Sequence, residues 1–327
     1  MTTNTKEKII TLLREQGRLS AKQLQQQLGI SRQALFVHLA ALRQQGKLDK
    51  EGLPPRVLYS LSKITTPWQL ASAELDLETA AFIEDRYLYI NPLGERHDGL
   101  LGFSLWCYKT KQDLRKTASE YVKTQRRYDR LFQHGLVNGL PKLRSTFEQV
   151  YLDDLFYLDF YSIERFGKTK LGQLLLYAKQ SQNRKIIAEL VDLIRPRLLS
   201  LLAAQNFSSV GFIPATVKRE LQLMTELARG LALPLRPVRL TKLRAELVVP
   251  QKTLSRLEDR VENAARTLMI EETVVHDDIL LIDDAVGSGA TLNETARQLK
   301  DKGLVRGRVV GLALVGSFKG FDVISEV

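Results

Sequence analysis

The chain has 327 residues, a formal charge of +11, one cysteine and 44% apolar residues. That length suits two domains or three, and the apolar share is enough for packed cores. No run approaches the roughly 18 apolar residues of a membrane span, and the opening MTTNTKEKII lacks the apolar stretch of a secretory signal. The lone Cys107 excludes an internal disulfide and a cysteine zinc module, and the four histidines are scattered. The expectation is a cytoplasmic protein with no zinc and no membrane partner.

Basic charge is concentrated in two places. Residues 1–63 hold eleven Lys/Arg against four Asp/Glu, and residues 109–144 hold ten against three. Each segment carries +7 and the remainder is acidic. Clustered basic charge favours contact with a polyanion, usually nucleic acid. The alternative is two solvated faces that keep the chain in solution.

The first elements are short helices. Residues 6–16 carry an apolar stripe (Ile9, Ile10, Leu12, Leu13) closed by Gly17. Ser20 is placed to cap a second helix, Ala21–Leu28, because its hydroxyl can accept from an orphan backbone N–H. Gly29-Ile30 forms a turn, Ser31 caps a third helix over 32–45, and Gly46 ends it. Leu35, Leu39 and Leu42 make the buried face of that helix. A loop with Gly52, Pro54 and Pro55 leads to a short strand at 56–61.

This order resembles the winged helix-turn-helix family over about 60 residues. The resemblance implies that the third helix enters the major groove of double-stranded DNA through Ser31, Arg32, Gln33 and Val37. Lys50 and Arg56 would sit on or beside the wing. Phe36, Val37 and Ala40 stand where polar residues are common. They suit thymine methyl groups, or a protein contact. A homodimer is expected, because palindromic sites demand two-fold symmetry.

Residues 64–160 read as a linker and a mostly helical middle region. Thr65-Thr66-Pro67 is the linker, 70–83 has helical spacing, 87–90 is a short strand and 91–94 a turn. A long basic helix spans 113–132 with Leu114, Tyr121, Tyr128 and Leu131 facing inward. Its tyrosines alternate with arginines. That permits stacking on a nucleic acid strand, but packing beside a solvated basic face is the favoured reading.

The sharpest chemical signal lies in residues 161–327. Ile279-Leu280-Leu281-Ile282 predicts a buried parallel strand ending in Asp283 and Asp284. The small run Ala285, Val286, Gly287, Ser288, Gly289, Ala290 and Thr291 follows, then a helix over 292–300. Small side chains let backbone N–H groups close around a phosphate at a helix N-terminus. The paired acids suit ribose hydroxyls and a Mg²⁺ held directly or through those hydroxyls or water.

These thirteen residues resemble the phosphoribosyl pyrophosphate (PRPP) motif of type I phosphoribosyltransferases. The flanks resemble the ComF branch of that family: a lysine after an apolar helix (Lys179), Val210–Pro214 with its following loop, Gln251-x-x-Leu254 and Arg260-x-x-Asn263. The resemblance implies an α/β fold with a parallel sheet flanked by helices, the small winged helix preceding it. Asp283 and Asp284 become the catalytic and metal-facing pair, and 285–291 the phosphate loop. Ala215, Thr216, Val217, Lys218 and Arg219 become the pyrophosphate loop, and Arg244 and Gln251 belong to a mobile loop at about 241–258. Departures are the missing cysteine zinc ribbon, Gly287-Ser288-Gly289 in place of a Thr-Gly pair, and a 215–217 run unlike that of close relatives.

The domain reading is therefore 1–63, 64–160 and 161–327. The functional expectation is a DNA-binding regulator that senses PRPP or a nucleotide. The alternatives are an active phosphoribosyltransferase and a ComF-like accessory of DNA uptake or processing.

Overall fold

The computed structural model describes residues 5–44, 47–52, 56–61, 75–91, 94–215, 217, 219–242 and 257–317. The chain divides into two compact units, Met1–Leu75 with Cys107–Leu114, and Asp76–Trp106 with Arg115–Val327. Among the described residues, no helix is long and apolar enough to cross a membrane.

The N-terminal unit holds α1 (Thr5–Gln16), β1 (Leu19–Ser20), α2 (Ala21–Leu28), α3 (Arg32–Gln44), β2 (Leu48–Glu51) and β3 (Leu58–Leu61). The three strands form an antiparallel sheet in the order β1-β3-β2. Ser20 caps α2 as its position predicts. Its Oγ accepts from Gln23 N at 3.3 Å, and the Gln23 side chain accepts from Ser20 N at 2.8 Å. Such a reciprocal box contributes about 1 kcal/mol. Ser31 Oγ likewise accepts from Ala34 N at 3.2 Å. Ile9, Leu13, Leu24, Leu35, Leu39, Leu42 and Tyr59 make one buried core. The strand expected at 56–61 starts at Leu58, and Pro54, Pro55 and Gly46 lie outside the described residues.

The remaining chain supplies α4 (Leu77–Arg86), β4 (Leu88–Ile90), β5 (Arg96–Asp98), α5 (Gly99–Lys109), α6 (Leu114–Asp129), β6 (Phe132–Gln133), β7 (Leu136–Asn138) and α7 (Leu140–Thr146). It continues with β8 (Asp154–Phe160), α8 (Lys170–Ser181), α9 (Arg184–Ala204), β9 (Ser209–Phe212), α10 (Leu223–Leu231), β10 (Arg236–Pro237) and β11 (Leu240–Lys242). The last elements are α11 (Leu257–Thr267), β12 (Leu268–Ile270), β13 (Ile279–Val286), α12 (Ala290–Asp301) and β14 (Val309–Gly316).

A mixed sheet runs β10-β9-β13-β14-β8-β7-β6. The first five strands are parallel, and the β6–β7 hairpin adds antiparallel to β8. β13 and β14 read as continuous apolar runs because both of their faces are covered. On one face Leu280, Ile282 and Leu312 pack with α8, α9 and α10. On the other, Leu292 of α12 lies over Gly311, together with Leu155.

Two expectations need correction. The basic helix stops at Asp129, where a turn closed by Leu131 N donating to Tyr128 O (2.9 Å) reverses the chain. Leu131 is therefore 41% exposed and not inward. Tyr121 and Tyr128 are buried, while Arg126 and Arg127 pair outward with Glu78 and Glu164. The helix is thus a packed face beside a solvated one. In addition, β13 runs through the two acids to Val286, because β14 offers a partner along its whole length.

Candidate functional site

The strand order fixes where a ligand can sit. From β9 the chain leaves through α10 to β10 on one side; from β13 it leaves through α12 to β14 on the other. A crevice opens beyond the carboxyl ends of strands at such a reversal. Residues 213–215 follow β9 at that end and 287–289 follow β13. Asp283 and Asp284 lie in the last half of β13, partly buried.

Both acids face lysines. Lys179 Nζ stands 2.7 Å from Asp284 Oδ2, with both side chains about 15% exposed or less. Asp283 Oδ1 accepts from Asp284 N at 2.9 Å. Burial, then repulsion from Asp284, pushes the Asp283 pKa well above the usual carboxylate range, and Lys242 and Lys179 oppose the rise. Burial in turn holds Lys242 below the ordinary lysine value, opposed by the same two acids. The site is a four-charge cluster drawn from α8, β11 and β13.

The small-residue turn has the shape its composition predicts. Gly289 sits at φ +86°, as the residue preceding α12, and no side chain caps that helix. A Cβ there would meet Leu143 Cδ1 at 2.4 Å, so only glycine fits without movement. Ser288 is buried and its Oγ accepts from Ala290 N at 3.3 Å. Asn293 N already donates to Gly289 O at 2.9 Å. With Ala290 N taken by Ser288, the amides of Thr291 and Leu292 remain without intrahelical acceptors at the positive end of the helix.

The loop after β9 is anchored to the end of α8. The Arg219 guanidinium donates to the Lys179 carbonyl, Leu221 N donates to Gln182 Oε1 at 2.9 Å, and Gln222 Nε2 donates to the carbonyl of Arg219 at 3.1 Å. Arg219, expected to face a ligand, is thus placed behind Lys179. Val217 is exposed and Ala215 half-buried; Thr216, Lys218, Arg244 and Gln251 lie outside the described residues. Nothing in the sequence pairs Lys179 or Lys242 with the acids. The one available signal was a lysine in the last turn of an apolar helix.

A second polar cluster lies at the opposite ends of these strands. Ser209 Oγ is 2.6 Å from His276 Nδ1, and His276 Nε2 is 3.4 Å from Glu272 Oε2. The order resembles a nucleophile with its base, but Ser209 is 1% and His276 3% exposed. The cluster ties strand ends together and admits no substrate. Among the described residues, no group of three or more His, Cys, Asp or Glu side chains forms a metal site.

On the N-terminal unit, α3 presents Gln33, Phe36, Val37 and Ala40 along one exposed face, with Ser31 and Arg32 at its start. Val37 is 67% exposed, and the Arg32 guanidinium lies 5.7 Å from the centre of the Phe36 ring. Residues 2–49 match the family described as winged helix-turn-helix DNA-binding. Residues 2–49 are a winged helix-turn-helix DNA-binding domain. Comparison of the whole chain with curated proteins gives no match. In this winged helix Lys50 is exposed on β2 and Arg56 is exposed just before β3, so both project from the wing hairpin. Ser31 Oγ serves the α3 cap, and Arg32, Gln33 and Val37 are exposed beyond it.

Proposed function

We propose that the chain is a DNA-binding regulator whose α/β unit binds PRPP or a nucleotide in the crevice beyond β9 and β13. The observation that carries this reading is one continuous stretch: an acid pair on a buried strand, then a small-residue turn leading into a helix N-terminus. Backbone donors of 287–291 would hold a phosphate. Asp283 and Asp284 would accept from ribose hydroxyls, releasing Lys179 and Lys242 toward the pyrophosphate. Lys179 and Lys242 already balance the acids, so Mg²⁺ would enter as a complex of the pyrophosphate and not as a resident ion. A type I phosphoribosyltransferase fold of the ComF kind is the corresponding architecture.

The coupling to DNA would follow from differential affinity. PRPP shifts the protein only as far as it binds one arrangement of paired winged helices better than another. A homodimer is part of this proposal. The same four-charge cluster supports a second reading, an active phosphoribosyltransferase, because two lysines beside the ribose acids could stabilise charge developing on departing pyrophosphate.

Calorimetric titration of PRPP into the wild type and Asp284→Asn tests the site. Saturable binding to the wild type, weakened at least about tenfold in the variant, is the expected result. Absence of heat at millimolar PRPP overturns it. Release of pyrophosphate from PRPP with added bases separates the enzyme from the sensor.

A further inference from the structure

A cavity of about 610 Å³ opens within the second unit at the carboxyl end of β8. It is separate from the crevice. The first turn of α8 (Thr169 to Leu171) lines the cavity, whereas Lys179 near the other end of that helix meets Asp284. A rise of 1.5 Å per residue puts about 14 Å between Lys170 and Lys179 along the axis. The volume falls within the range of small-molecule sites.

The charges in its wall are arranged in a particular way. Arg86 Nη1 donates to both carboxylate oxygens of Asp129 at 2.8 and 2.9 Å, and the two charges neutralise each other. Lys170 Nζ donates to the Asp85 carbonyl at 3.1 Å, and Arg197 Nη1 donates to the Leu158 carbonyl at 2.7 Å. These backbone bonds fix the two cationic heads without cancelling their charge. Asp159 lies on the same wall, close enough to feel the Arg197 field, yet among the described residues no ion pair joins the two. Its Oδ1 is held by Phe160 N at 2.7 Å. Fixed charges of both signs that do not meet are complementary to a ligand carrying both. Asp85, Gln125 and Thr169 also line the wall, and its apolar part is Tyr128, Phe132, Leu193 and Ile194.

We propose that this cavity is a second ligand site, built for a free amino acid with a large apolar side chain. The α-carboxylate would take the Arg197 and Lys170 donors and the amides of Lys170 and Leu171, since Gly172 N is held by the Thr169 cap. The α-ammonium would take Asp159. The side chain would lie against Tyr128, Phe132 and Ile194. A phosphate monoester would bring two negative charges to a wall whose remaining charges, Lys170 and Arg197 against Asp85 and Asp159, sum to zero, and would leave Asp159 opposed. The site is independent of the PRPP reading and would give the regulator a second input.

The test is calorimetry on the full chain with L-phenylalanine, L-leucine and L-tryptophan, against N-acetyl-L-phenylalanine, phenylalaninamide and AMP. At least one free amino acid should bind saturably. Removing either its ammonium or its carboxylate charge should weaken binding by about tenfold or more, as loss of a charge-assisted bond does. Arg197→Gln and Asp159→Asn should each abolish binding while melting cooperatively, and Asp284→Asn should retain it. The last arm separates this site from the crevice. The proposal is overturned if no amino acid in the panel binds at 10 mM (roughly the weak end of specific affinity), if both cavity variants bind normally, or if AMP binds with the same dependence on Arg197.

Discussion

Replacing Asp159 by Asn should stabilise the free protein at neutral pH. Burial pushes the Asp159 pKa up to about 6 from 3.8, against the opposing pull of Phe160 N and Arg197. The folded protein therefore holds this proton more tightly than the unfolded chain. The stability that Asp159 confers is fully present below about pH 3.8 and is lost as pH rises through about 6. At pH 7 the ionised wild type carries a penalty of about 2–3 kcal/mol relative to an uncharged isostere. For a unit of this size that corresponds to a rise in Tm of roughly 5–10 °C. Thermal melts of wild type and variant at pH 4, 5.5, 7 and 8 read it directly. The gap should be near zero at pH 4 and widen to its full value by pH 7. A gap that is absent at pH 7, or equal at all four pH values, refutes the reasoning. An acid retained at such a cost is what a binding group looks like before its ligand arrives.

Further outcomes follow from other contacts. Gly289→Ala forces a Cβ into a left-handed residue and against Leu143, so it should cost about 2–4 kcal/mol in thermal unfolding and weaken PRPP binding; an unchanged Tm contradicts the turn geometry. Lys179→Met leaves the Asp283–Asp284 pair with one cation fewer and should destabilise by about 3 kcal/mol at pH 8, less at pH 5 where Asp283 takes up a proton. Lys50→Ala should lower DNA affinity uniformly across sequences and reduce the salt slope by about one, as loss of a phosphate contact does.

Much of the N-terminal unit was legible because its signals are local. Ser20, Ser31 and Gly29 act on their nearest turns, and the spacing of Leu35, Leu39 and Leu42 fixes one face of α3. The phosphate-like turn at 285–291 was legible for the same reason, since small residues and a helix start are contiguous. Partners from distant segments were not. Nothing near Asp284 in the chain announces Lys179, which arrives through the packing of α8, or Lys242 from β11. β8 was equally hidden: Asp154–Phe160 mixes acids with aromatics and gains its place only by pairing with β14. The cavity at Asp159 depends on α4, α6, α8 and α9 meeting, and no sequence motif spans them.

The central claim joins the two units by one ligand, so DNA affinity in the presence of PRPP tests it most directly. Fluorescence anisotropy with a duplex from the chain's own promoter, at fixed salt, should give a Kd that PRPP changes by about 5-fold or more, the usual scale of allosteric coupling. The change should vanish in Asp284→Asn and leave non-specific DNA unaffected. A Kd that PRPP does not move, measured where calorimetry shows PRPP bound, would contradict the account.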